Sequence, residues 1–201
     1  MKRSPILPGP PLMTPLRSLG VAVVMGVVAL ALTPSATPAG KHTPYEARSG
    51  VAIAQQAAQA WAHDAILVYL ENDESVDSVG AAQRWGYLYY SPSTEQARVY
   101  SVRDGKILVA EYLEMQFDAP PIAMNWIDSG VAFELAEEMA GRLFRRQHQG
   151  ALHTMLLMRG AFHSGDPNQT TWTVIYTSPH APSLFVVVDA IEGKVSRTWR
   201  G

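Results

Sequence analysis

The sequence predicts an α+β fold made of two repeated units, each a helix packed on an antiparallel sheet of three to four strands. Three observations predict it. Short motifs recur in the same order along the chain, apolar residues step by four ahead of each set of strands, and the later segments alternate with period two.

The repeat is legible letter by letter. Ser49-Gly50-Val51-Ala52 returns as Ser129-Gly130-Val131-Ala132. Trp85, Tyr89, Ser91 and Pro92 return at equal spacing as Trp172, Tyr176, Ser178 and Pro179. Asp104-Gly105-Lys106-Ile107 returns as Glu192-Gly193-Lys194-Val195. Three matches in one order point to duplication of one supersecondary unit. The units are read as residues 50–115 and 128–201, joined by a linker at 116–127 with Pro120 and Pro121.

In the second unit Val131, Leu135, Met139 and Leu143 form a stripe expected to face the core, with Asp128 or Ser129 placed to cap the helix start. In the first unit Ile53, Ala57, Ala60, Trp61 and Asp64 hold the corresponding stripe. Strands are predicted at Ile66–Leu70 and Leu152–Met158. The next strand alternates, with Trp172, Val174 and Tyr176 on one face and Thr171, Thr173 and Thr177 on a polar one. Its counterpart, Trp85 to Tyr90, is apolar on both faces and asks for a cover on each. Hairpin turns are placed at Asp104-Gly105 and at Gly193, where positive φ is needed.

The chain has 201 residues, 47% hydrophobic and 17% charged, which suits one large or two small globular domains. It has no cysteine, so disulfides, thiolate metal sites, cysteine nucleophiles and a lipid anchor on an N-terminal cysteine are excluded. Lys2, Arg3 and Arg17 precede an uncharged apolar run from Leu19 to Leu32, followed by small residues and prolines to Ala39. That is the order of a secretory signal. Residues 1–39 are therefore read as a signal peptide cleaved after Ala39 or Ala36, or as an uncleaved N-terminal anchor, and Met13 is a second possible start. Only the uncleaved form would bring the chain to a membrane. Either way the body is expected to be extracytoplasmic, periplasmic or secreted. Residues 40–49 read as a flexible linker. Without residues 1–39 the body is acidic, which argues against nucleic acid as a partner.

The segment Val187-Val-Asp-Ala-Ile-Glu-Gly-Lys-Val195 resembles the final hairpin of PepSY and PepSY-like domains. Trp172-Thr-Val-Ile-Tyr176 resembles their W-x-V-x-Y strand, and Tyr100-Ser-Val-Arg-Asp-Gly105 is similar in the first unit. Glu192 departs from the family's usual Thr or Ser, and Val102-Arg103 replaces the Asp-Ala pair. The resemblance implies a small extracytoplasmic α+β binding domain, PepSY-like or cystatin-like. It is of a kind associated with protease propeptides and envelope proteins and proposed to restrain peptidases. It implies no catalytic residues.

Nothing in the residues assembles a catalytic set. His42, His63, His148, His153, His163 and His180 lack metal-ligand spacing, and there is no nucleophile elbow, phosphate loop or dinucleotide fingerprint. Ser164 reads as a turn former. Glu71 to Asp77 is an acidic loop without the regularity of a calcium loop. The expectation is an exported, non-enzymatic binding module without cofactor, its partner an envelope or secreted protein. The alternative is a carrier of a small apolar ligand. The candidate binding surface is the aromatic set Trp85, Tyr87, Tyr89, Trp172 and Tyr176, whose rings suit either core or pocket.

Overall fold

A computed structural model describes residues 42–113, 120–160 and 168–201. The segment read as a signal at 1–39, and His163 and Ser164, lie outside them.

A 3-10 turn, Ala47–Gly50, leads into helix α1, Val51–Trp61. Four strands follow: β1 Ile66–Asn72, β2 Trp85–Ser91, β3 Gln96–Arg103 and β4 Lys106–Leu113. Helix α2, Ser129–Ala136, runs through a π-helical turn, Glu137–Gly141, into α3, Arg142–His148. Strands β5 Ala151–Arg159, β6 Thr170–Thr177, β7 Leu184–Asp189 and β8 Lys194–Arg200 complete the chain. All eight strands form one antiparallel sheet, ordered β4-β3-β2-β1-β5-β6-β7-β8. The two halves meet at β1 and β5 through three residue pairs, Tyr69 with Met158, Leu70 with Leu157 and Glu71 with Leu156.

The turns follow their sequence. Asp104 (φ 48°) and Gly105 (φ 69°) form the two-residue connection between β3 and β4, and Gly193 takes φ 65° between β7 and β8. Two positive φ values in succession give the strand-matching twist that Asp-Gly favours.

The helices bury a different stripe from the one their period suggests. Val131, Met139 and Leu143 are 46%, 57% and 50% exposed, while Ala132, Phe133, Ala136 and Phe144 are buried. In α1 the buried positions are Ala54 and Ala58, while Ile53, Ala57 and Trp61 are half-buried and Ala60 is exposed. For the alanines among these buried positions the reason is volume. The sheet already presents Trp85, Tyr87, Tyr89, Tyr100, Trp172 and Tyr176 to the helices. Close packing then favours small side chains opposite large ones.

The segments read as linkers are also packed. Tyr45 and Ala82 exchange backbone hydrogen bonds (3.0 and 3.1 Å), the Tyr45 hydroxyl donates to the Val102 carbonyl at 2.6 Å, and Ala47 is fully buried. Burial pushes the Tyr45 hydroxyl up to about 12. In the second linker Ile122 and Trp126 are buried, and the Ile122 amide donates to Leu67 where β5 no longer pairs with β1. Missing periodicity excludes a regular element there, but it does not exclude burial. The threonine face of β6 is not solvated either. Thr173 stands between Leu156 and Val187, and all three are buried.

Candidate functional site

The five aromatics expected to offer a surface lie in the core beneath the helices, each no more than 2% exposed. They are therefore not a binding face in this structure. The sheet side that alternation assigned to them is the side the helices cover. The polar atoms of three of them hold the chain instead, while the Tyr89 and Tyr176 hydroxyls are buried without a hydrogen-bond partner. Trp85 Nε1 donates to the Tyr45 carbonyl at 2.8 Å, Trp172 Nε1 to the Ile127 carbonyl at 2.8 Å, and the Tyr87 hydroxyl to the Ala47 carbonyl at 2.7 Å. Trp85 and Trp172 meet edge to face, with ring centroids 6.2 Å apart, and Trp126 meets Trp172 at 5.8 Å. A hollow of about 270 Å³ lies elsewhere, beside the start of α1, lined in part by Tyr45, Ile53, Val102 and Gly105. None of the five aromatics lines it.

A polar knot ties the helix starts together. Asp128 Oδ1 caps α2 by accepting from Ser129 N at 2.8 Å, and it also accepts from Arg48 N at 3.0 Å. Ser129 Oγ accepts from Ala47 N at 3.1 Å, and Glu46 accepts from Gly130 N at 3.3 Å. Arg48 lies over the Trp126 ring at 4.1 Å and donates to the Trp126 carbonyl. Apart from the Ser129 cap, these contacts tie the first half to the start of α2 or to the segment before it, and the amides satisfied, at Ala47, Arg48, Ser129 and Gly130, are of the kind that helix starts leave open. The Ser-Gly-Val-Ala match in sequence includes Ser129 and Gly130 but not their partners Glu46 and Ala47.

The acidic loop is committed to internal partners. Ser101 donates to Asp73, Arg84 lies 3.6 Å from Asp73 and 3.7 Å from Glu74, and Arg103 pairs with Glu74. Asp77 Oδ1 accepts from the Val79 and Ala81 amides, both at 2.9 Å. Burial pushes the Asp73 carboxyl up, and hydrogen bonding from Ser101 and the Arg84 charge act against it. His42 pairs with Asp104, His148 faces Arg200 at 3.0 Å, His153 touches Thr154 and His180 touches Gln149. Among the described residues no three histidines or carboxylates gather as a metal would require.

The Asp189 turn shows why its residues stand where they do. Asp189 Oδ1 accepts from Ile191 N at 2.7 Å and Glu192 N at 2.9 Å, and Gln169 donates to the other oxygen. Burial pushes this carboxyl up. The amides of Glu192 and Ile191, with Gln169 and the Lys194 charge, outweigh burial and hold it below the ordinary carboxylate range. Asp189→Asn is expected to cost about 1–3 kcal/mol at neutral pH, since a charged acceptor is lost from a buried turn. A depressed pKa stabilises the fold above the unfolded value and loses that contribution as pH falls through the folded one. The gap between the wild type and the variant in urea titrations should therefore close as pH drops below about 4.

Sequence reasoning overlooked the edge of β4, which among the described residues has no second strand beside it. Its positions 106, 108 and 110–112 are exposed, with Leu108 at 49% and Tyr112 at 54%. Tyr112 is held by Trp61 edge to face at 6.0 Å and by Arg98 at 4.9 Å. The opposite edge, β8, carries Lys194, Arg197 and Arg200 in seven residues, whereas β4 carries one Lys and one Glu in eight. The signal was present as an apolar strand without proline, but only the strand order makes it an edge.

No protein-family model matches the chain, and no curated protein matches it. Among solved structures it is similar to the crystal structure of a candidate lipoprotein of Clostridium difficile 630, at 13% identity. The match covers 73% of this chain and 90% of that one, with a TM-score of 0.48, and at that level it carries no argument about this protein. Among the described residues no helix is long and apolar enough to cross a membrane.

Proposed function

We propose that the chain is an exported, non-enzymatic binding module of the cell envelope, and that it holds an extended segment of another protein along the free edge of β4. The observation that carries this reading is the edge itself. It is eight residues long, rich in apolar side chains and nearly free of the like charges that guard edge strands. A peptide strand added there gains main-chain hydrogen bonds, and the exposed Leu108 and Tyr112 supply side-chain contacts. Export is supported by the order of charge, apolar run and small residues in positions 1–39. Duplication of one PepSY-like unit is supported by the matched motifs, and by the succession of a helix and four antiparallel strands in each half. Restraint of a peptidase fits a module that occupies an extended chain without cutting it.

The test is crosslinking and native mass spectrometry of the tagged protein taken gently from its own envelope. A protein partner should be captured by the wild type. Capture should fall at least about tenfold in Leu108→Lys/Ala110→Lys, which adds charge to the edge without touching the core. Capture that survives these changes, or no captured protein at all, rejects the reading.

A further inference from the structure

Arg98 stands beside the β4 edge with a charge that no described residue answers. It is half-buried on β3, between Tyr89 and Tyr112, on the sheet face that the helices cover. Arg84, Arg103 and Arg145 are also half-buried, and each pairs with a carboxylate. Arg98 has no ion-pair partner among the described residues. Glu111, the one acid on β4, is paired with Val99 and so belongs to the other face. Asp64, just past α1, is occupied by Ser91 Oγ and Ser93 N, both at 2.7 Å. Partial burial of a cation costs free energy unless an anion offsets it.

Two rings and one carbonyl fix the guanidinium. Its carbon lies 4.9 Å from the Tyr112 ring centroid and 5.5 Å from that of Tyr100, and Nη2 donates to the Ala110 carbonyl at 3.3 Å. Nε is buried without a partner, and no hydrogen bond engages Nη1 among the described residues. An arginine resting on rings keeps its charge and its planar fork for a carboxylate. Ala110 lets that fork reach the edge. It is paired with Tyr100, so its side chain shares the face of Arg98, and a methyl leaves the path over β4 open.

A strand added beside β4 sets one side chain opposite Ala110 on this same face, with Cβ atoms about 5 Å apart. A carboxylate at that position meets the Arg98 guanidinium across Ala110. Such charge-assisted bonds are about twice as strong as neutral ones and are specific in geometry. We infer that the segment held at β4 carries an aspartate or glutamate opposite Ala110, and that Arg98 is the residue that selects it. This rests on the reading of β4 as a peptide-binding edge.

The test is a phage-displayed library of random peptides about 12 residues long, enough for a strand of the length of β4, selected on the tagged full chain taken from its own envelope. Selected peptides should share an aspartate or glutamate within an apolar stretch. By fluorescence anisotropy, such a peptide should bind Arg98→Gln at least about tenfold more weakly than the wild type. With its acid changed to lysine, the peptide should bind Arg98→Glu at least about tenfold more tightly than it binds the wild type. A merely structural Arg98, one that only props Tyr112, would not respond to the charge of the peptide. Selected peptides without a shared acid overturn the inference, as does a charge swap that restores nothing. Binding lost in Leu108→Lys/Ala110→Lys but kept in Arg98→Gln also overturns it, and leaves the edge reading standing. Binding indifferent to both changes, or a library that yields no binder, overturns the edge reading and this inference with it.

Discussion

Replacing Trp172 by alanine is expected to destabilise the whole fold by about 3–5 kcal/mol, the range for removing a fully buried large aromatic. Trp172 is 0% exposed and touches both Trp85, from the first half, and Trp126, from the connecting segment. Its indole N–H also satisfies the Ile127 carbonyl just before α2, so the variant leaves an acceptor without its donor as well as a cavity. Urea unfolding followed by far-ultraviolet circular dichroism and by tryptophan fluorescence measures the loss. One coincident transition at lower urea is expected, because the cavity opens where both halves share a core and one sheet. Trp172→Phe should recover part of the loss by refilling volume, while the Ile127 carbonyl still lacks its partner. If Trp172→Ala instead splits unfolding into two steps, with the first half melting at its original midpoint, the shared core is not what couples the halves.

Gly80→Ala is expected to cost about 3 kcal/mol or more, although the residue lies in the exposed-looking loop between β1 and β2. Backbone strain and overpacking each contribute about 1–3 kcal/mol. Gly80 has φ 80°, and a Cβ there would stand 2.7 Å from the Ser129 carbonyl oxygen, 2.8 Å from Phe133 Cβ and 2.9 Å from Gly130 Cα. These are main-chain and Cβ atoms of the α2 start, so no rotamer change relieves the contact. Gly50 makes a useful contrast. The atoms nearest a Cβ there are the Tyr87 hydroxyl and ring, side-chain atoms rather than main chain, whose displacement would cost the hydrogen bond to Ala47. Thermal unfolding of the two alanine variants should rank Gly80→Ala well below Gly50→Ala. Equal melting temperatures would show that the loop moves away from α2 freely.

The sequence by itself determined the local elements. Period-two alternation marked β6, Asp-Gly and Glu-Gly marked the hairpin turns, and Asp128 or Ser129 marked a helix start, because each depends on a few neighbouring residues and a fixed backbone geometry. The helix faces were decided by the tertiary structure. A stripe of Val131, Leu135, Met139 and Leu143 satisfies the helical period, but so does the stripe of Ala132, Ala136 and Ala140 beside it. The large rings already standing on the sheet chose the smaller one. For the same reason Trp85, Tyr87, Tyr89, Trp172 and Tyr176 became core: aromatic rings with polar tips fit a pocket and an interior equally well until the cover above them is known. The packing of residues 42–49 and 120–127 needed partners up to 84 positions away, as between Glu46 and Gly130, which no local pattern encodes. The edge position of β4 follows from β1 pairing with β5, a contact between the halves that rests on three residue pairs and on the burial those pairs complete.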